Sequence, residues 1–141
     1  MTEHANGASA VLVVEDDEDI RSTLAGLLED AGYAVFSASD GVSALIRLRT
    51  HPTPLVVLLD WRLPGMDGMA VLRAMATDAP QARRHAYLLL TAWHDEARPV
   101  LATLPAELSV TLMGKPFNVD DLLAFVAHAT AHLRPQQPVA R

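Results

Sequence analysis

The chain has 141 residues, of which 50% are hydrophobic and 20% charged, a size and balance that suit one self-sufficient core and exclude a wholly disordered chain. It has no cysteine, which excludes a disulfide framework, a thiol nucleophile and a cysteine-ligated metal. A formal net charge of −6 argues against nonspecific binding to nucleic acid or to an anionic membrane, because phosphate-rich surfaces reward a basic partner.

In chain order, Met1 to Ser9 are small and polar and read as a tail. Val11 to Val14 form an apolar run of strand length, followed at once by Glu15, Asp16 and Asp17. Ile20, Leu24, Leu27, Leu28 and Ala31 then recur at helical spacing and close on Gly32, which predicts a helix of about four turns with a left-handed residue at its end. Tyr33 to Ala38 is the next apolar run, ending in Ser39 and Asp40, with a weaker helical pattern from Gly41 to Thr50. Leu55 to Leu59 follows and ends in Asp60; Pro64, Gly65 and Gly68 then mark a turn into a helix over Gly68 to Thr77. Ala86 to Leu90 ends in Thr91, and a short helix of about two turns is expected around Ala97 to Leu104, limited by Pro99 and Pro105. Val110 to Met113 is the fifth run, closed by Lys115. The last helix begins at Asn118, with Asp120 and Asp121 in its first turn and Leu122, Val126, Ala129 and Leu133 on one face. Residues 134–141 read as a second tail.

Strand and helix thus alternate five times. Short connections and right-handed crossovers make this an α/β domain over residues 10–133, with a doubly wound, five-stranded parallel sheet whose strands are buried on both faces. No apolar run approaches the roughly 20 residues needed to cross a bilayer, and the chain lacks the opening of a secretory signal. The expectation is a cytoplasmic protein without membrane contact.

In such sheets ligands bind outside the carboxyl ends of the strands. Those ends here carry Glu15, Asp16 and Asp17, then Asp40, Asp60, Thr91 and Lys115. Carboxylates gathered there repel one another unless a cation intervenes, and Mg²⁺, which takes oxygen ligands from one or two carboxylates plus phosphate, suits Glu15, Asp16 and Asp60. Taken alone, the acidic run equally suits a solvated helix N-terminus. Lys115 is the one lysine beside ten arginines; at a strand end it could serve as a point charge for a phosphoryl group, although a single lysine is more often a plain surface residue. His128 and His132 stand four apart without a third ligand and read as a solvated pair, and Met66, Met69 and Met75 read as core filling.

The ordered set Val13-Val14-Glu15-Asp16-Asp17, Leu58 to Gly68 (LLDWRLPGMDG), Leu90-Thr91-Ala92 and Lys115-Pro116-Phe117 resembles the receiver domain of bacterial two-component response regulators. The resemblance implies a flavodoxin-like fold in which Asp60 accepts a phosphoryl group from a sensor histidine kinase or a histidine phosphotransfer protein. It further implies that Glu15, Asp16, Asp60 and the backbone carbonyl of Arg62 hold Mg²⁺, that Thr91 and Lys115 bind the phosphoryl oxygens, and that the Lys115-Pro116 bond is cis. Arg62 and Trp93 would flank the path of a hydrolytic water, so slow dephosphorylation is expected. The chain departs from the family at Leu112, where an aromatic residue is usual.

A metal-dependent phosphatase would want a second acid two residues after its nucleophile, where Arg62 stands, and a flavin or nucleotide site would want a glycine-rich loop where the acidic run stands. A receiver-like module acting without phosphorylation remains as the alternative, and the complete set of site residues counts against it. With eight residues after the last helix, the expectation is a stand-alone phosphoacceptor, not an enzyme, that signals to an unknown downstream protein and not to nucleic acid.

Overall fold

The apolar runs become five parallel strands: β1 (Ala10–Val14), β2 (Ala34–Ala38), β3 (Leu55–Asp60), β4 (Ala86–Thr91) and β5 (Val110–Gly114). Six helices join and follow them: α1 (Glu18–Asp30), α2 (Gly41–Thr50), α3 (Gly68–Ala76), α4 (Ala79–Arg84), α5 (His94–Leu101) and α6 (Val119–His132). The computed structural model describes residues 10–133, and the two expected tails lie outside the described residues. The sheet order is β2-β1-β3-β4-β5, the doubly wound arrangement expected from the alternation.

The alternation of side chains along a strand separates two cores. Leu12 and Val14 of β1, with Leu55, Val57 and Leu59 of β3, pack against α2, α3, α4 and α5 through Leu48, Leu72, Met75, Ala82 and Ala97. Val11 and Val13, with Val56 and Leu58, pack on the other face against Leu24 and Leu28 of α1 and Leu122 and Val126 of α6. Burial on both faces holds for β1, β3 and β4 but not for β2 and β5. Those two are edge strands with a neighbour on one side only, so Ala34, Ser37 and Thr111 reach solvent.

Helix α4 was not expected. Its signal is local but short: Asp78 caps it through the Gln81 N–H, and Pro80 sits in the first turn, where its missing N–H costs nothing. Helix α5 has the expected length of about two turns, with eight residues, but begins at His94 and ends four residues before Pro105. Gly32, just past α1, takes φ 101° and so supplies the expected left-handed residue. The starts of α1, α2, α3 and α6 are capped by Asp17, Asp40, Asp67 and Asn118, whose side chains accept from Ile20, Ser43, Ala70 and Asp120 N–H groups at 2.7 to 3.0 Å. Trp93, the residue that caps α5, makes no such side-chain bond.

At the opposite end of the sheet a buried imidazole joins three elements. His85, just before β4, is 1% exposed. Its Nδ1 accepts the Leu55 N–H at 3.0 Å, so Nε2 carries the proton and donates to the Leu48 carbonyl at 2.9 Å. Burial holds its pKa down at about 4, and the neutral ring ties the end of α2 to the first residue of β3.

Candidate functional site

The chain enters the sheet at β1, places β2 on one side and crosses to β3 on the other, so the strand order reverses between β1 and β3. Register then decides what meets in that crevice. Val14 pairs with Leu59, so Glu15 leaves its strand beside Asp60. Thr91 pairs with Gly114, so Lys115 emerges next to the end of β4, and its N–H donates to the Thr91 carbonyl at 2.8 Å. Four strand ends therefore deliver Glu15, Asp60, Thr91 and Lys115 to one edge.

Lys115 Nζ donates to Asp60 Oδ1 at 2.8 Å and lies 3.6 Å from Glu15 Oε1. One carboxylate oxygen from each of Glu15, Asp16 and Asp60 falls within 4.8 Å of the others. Glu15 and Asp60 are buried and Asp16 is exposed, so the cluster opens to solvent on one side. Burial raises the pKa of Glu15, opposed by the Asp17 N–H, and the Asp60 charge raises it further. Burial also raises Asp60, with the Lys115 hydrogen bond opposing. For Lys115, burial works to lower the pKa, but its ion pairs with Asp60 and Glu15 outweigh this and the net shift is upward. Three carboxylates against one ammonium leave an excess of negative charge, and the oxygen-only donor set fits a hard divalent cation. The other strand-end acids are spent elsewhere: Asp17 and Asp40 cap helices.

Two hydrogen bonds, one from a side chain and one from the backbone, brace the cluster. Arg21 on α1 reaches back so that Nη1 donates to the Glu15 carbonyl at 2.8 Å, and the Asp17 N–H donates to Glu15 Oε2 at 3.1 Å. Thr91, 1% exposed, accepts the Trp93 N–H at its Oγ1 at 2.8 Å, which leaves the hydroxyl proton free to donate. The loop after β3 is held close: a Cβ at Gly68 would stand 2.5 Å from the Asp60 carbonyl oxygen, so that position has a packing reason beyond the turn signal that marked it. Gly65 takes φ 70° and makes the turn itself. Gly41 is pressed against the Met66 carbonyl, a contact between α2 and the loop that no local pattern announces.

Arg62 behaves differently from the acids around it. Its guanidinium lies 4.8 Å from the Trp61 ring centroid and 4.5 Å from that of Trp93, so two loops are bridged by one cation over two indoles. The resemblance paired Arg62 with Trp93 as flanks of a water path; their direct stacking and the part of Trp61 in it depend on the distance between two strand ends, which residue patterns do not supply. Lys115-Pro116 is cis.

The model of the response regulator receiver domain family matches residues 11–127. The chain belongs to that family. This receiver is 30% identical over 112 residues to sporulation initiation phosphotransferase F of Bacillus subtilis, covering 79% of this chain and 86% of that protein. It is 34% identical over 127 residues to the DNA-binding transcriptional regulator NtrC of Escherichia coli, but there it spans 90% of this chain and 26% of the relative. Among solved structures, a CheY-like receiver domain protein from Methanospirillum hungatei superposes with a TM-score of 0.72 at 30% identity, over 91% of this chain and 98% of that one. Chemotaxis protein CheY4 of Vibrio cholerae gives 0.73 at 28% identity, over 87% and 99%. The chain is thus a receiver of the two-component type with the flavodoxin-like fold. Among the described residues no helix is long and apolar enough to cross a membrane.

Proposed function

We propose that this receiver takes a phosphoryl group onto Asp60 from a phosphohistidine, carried by a sensor histidine kinase or a histidine phosphotransfer protein in the cytoplasm, and passes the signal on by protein contact. The observation that carries this reading is the convergence of Asp60, Lys115 and the two acids just after β1, Glu15 and Asp16, on one edge, with Lys115 Nζ at 2.8 Å from the Asp60 carboxylate.

The donor phosphoimidazole is energetic and a carboxylate is a weak nucleophile, so the receiver has mainly to position the partners and balance charge. An Asp60 carboxylate oxygen bonds to phosphorus as the N–P bond of the donor breaks, and the imidazole nitrogen keeps the electron pair and takes up a proton from solvent. Lys115, already on Asp60, can follow the phosphoryl oxygens as a compact charge. Thr91 offers its free hydroxyl proton to the same oxygens. Glu15, Asp16, Asp60 and the Arg62 carbonyl would hold Mg²⁺, which when bound neutralises charge on the transferring phosphoryl group. Arg21 keeps the Glu15 backbone in place. The residues act by orientation and charge, and the domain needs no substrate pocket of its own.

Incubation with acetyl phosphate and Mg²⁺, read by intact mass and by the lability of an acyl phosphate to base and to hydroxylamine, tests the assignment. Wild type is expected to gain one phosphoryl group, and Asp60→Asn none. Labelling that persists in Asp60→Asn, or that is indifferent to EDTA, overturns it.

A further inference from the structure

Away from the phosphorylation edge, the arginines are not spread evenly. Arg47 and Arg49 lie in the last turn of α2, Arg73 in the last turn of α3, and Arg83 and Arg84 in the last turn of α4. These helices share one face of the sheet, and their carboxyl ends lie together at the end opposite Asp60. Arg49 Nη2 comes within 3.5 Å of the Ala74 carbonyl, next to Arg73. Arg84 donates to the His51 carbonyl, just past α2, at 2.7 Å. Arg47 and Arg84 both bear on the His51 ring, which burial and then these two charges hold below its usual pKa. Five cations therefore gather on a chain whose formal charge is −6. Among the described residues none of the five has a carboxylate within ion-pair distance. Arg47 covers the Phe36 ring at 4.8 Å and Arg84 holds Gln81 and the His51 carbonyl, so these two are engaged. Arg49, Arg73 and Arg83 are exposed.

The outer face of α2 adds a second, apolar feature. Val42 is 56% and Ile46 59% exposed, although Ala44 and Leu48 bury the opposite face of the same helix. Val42, Ile46 and Arg49 follow at helical spacing, so a two-residue aliphatic stripe runs directly into the basic end.

We infer that the outer face of α2, with the arginines at the ends of α3 and α4, is a docking surface for an acidic amphipathic helix of a partner protein. That helix would set two aliphatic side chains, one turn apart, against Val42 and Ile46 and lay carboxylates from its next turn on Arg49, Arg73 and Arg83. Arginine favours carboxylates because its fork pairs both oxygens at once. A nucleic acid fits less well, since the Phe36 ring beside the cluster is already covered by Arg47 and a net charge of −6 opposes a long polyanion. A membrane fits less well because two aliphatic side chains bury too little apolar area to anchor a helix whose other face is in the core.

The test uses a synthetic helical peptide carrying two leucines one turn apart followed by a turn of glutamates, beside a peptide of the same composition in scrambled order, a short DNA duplex and vesicles of phosphatidylglycerol. Binding is read by fluorescence anisotropy, and the contact is mapped by amide shifts in ¹⁵N spectra. The ordered peptide is expected to bind wild type at least severalfold more tightly than the scrambled one and to shift α2 amides. The triple substitution Arg49→Glu, Arg73→Glu, Arg83→Glu is expected to weaken it about tenfold or more, and Ile46→Ser by a few fold. Both variants should still accept a phosphoryl group from acetyl phosphate, which separates loss of docking from loss of the fold or of the Asp60 chemistry; if the triple variant does not, Ile46→Ser and Arg83→Gln carry the test. Equal binding of the two peptides, indifference to the substitutions, tighter binding of DNA or vesicles, shifts confined to another face, or no binding at about 1 mM peptide would each overturn the inference.

Discussion

Acidification should unpin the lower end of the sheet through His85. The ring is 1% exposed and both nitrogens are committed, Nδ1 as acceptor from Leu55 N–H at 3.0 Å and Nε2 as donor to the Leu48 carbonyl at 2.9 Å. Protonation would set a second N–H against that of Leu55. Burial lowers the pKa from 6.5 to about 4; the Leu48 hydrogen bond opposes the shift, and the charges of Arg84 and His51 add to it. The unfolded chain binds this proton near 6.5 and the folded chain only near 4, so between those values unfolding takes up a proton and stability falls as pH drops. At about 1.4 kcal/mol per unit, the full window is worth roughly 3 kcal/mol, a large share of a typical domain stability of about 5–15 kcal/mol. Urea denaturation of wild type and His85→Gln at intervals from about pH 7.5 to pH 4 reads the effect directly. Glutamine keeps a donor toward Leu48 but does not titrate. The stability difference between the two proteins should shrink by roughly 3 kcal/mol across the window and stay level above it. Parallel curves would refute the reasoning, as would nitrogen spectra at neutral pH showing the proton on Nδ1.

Gly68→Ala should cost about 2–3 kcal/mol in thermal or urea denaturation, because the new methyl meets the Asp60 carbonyl, and should slow labelling by acetyl phosphate more than a distant glycine change such as Gly32→Ala, whose methyl meets no other atom. Arg62→Ala and Trp93→Ala should each shorten the lifetime of the phosphorylated form by a few fold in a dephosphorylation time course, if the stack of Arg62 over Trp61 and Trp93 screens the phosphoryl group from water as the family resemblance implies; unchanged rates would make the stack a packing feature. Helix α5, with eight residues, Pro99 inside and no side-chain cap, should exchange its amides quickly in the free protein and gain protection over residues 93–113 with beryllofluoride, since Thr91 Oγ1 holds the Trp93 N–H at the start of that helix; equal exchange in both states would exclude ordering of α5 as the response.

What could be read in the residues and what could not divides along sequence distance. Strand runs ending in Asp60, Thr91 and Lys115 are local patterns, and parallel topology then aligns strand ends whatever the loops do, so the site followed from the order of the elements. The acidic run after the first strand was ambiguous when taken alone, since it suited either a metal site or a solvated helix start; the fold divides it, with Asp17 capping α1 and Asp16 beside Asp60. Edge exposure of β2 and β5 could not be read from runs as apolar as those of the central strands, because it depends on which strands have two neighbours. Helix α4 has a cap and a proline but too few residues for periodicity to register.

His85 shows the limit most clearly. A lone histidine before a strand carries no signal of its own, yet its two partners lie 30 and 37 residues away in sequence, and only the packing of α2 under β3 and β4 makes it a joint. The same packing brings the carboxyl ends of α2, α3 and α4 together, so the arginines that suit each helix end individually through its dipole become a shared cluster at one pole. The acids of β1 and β3 lie at the other pole. Three favourable local choices on neighbouring helices produce a surface whose charge opposes that of the whole chain, because the winding returns the chain after α2 and after α4 to the end of the sheet where β3 and β4 start.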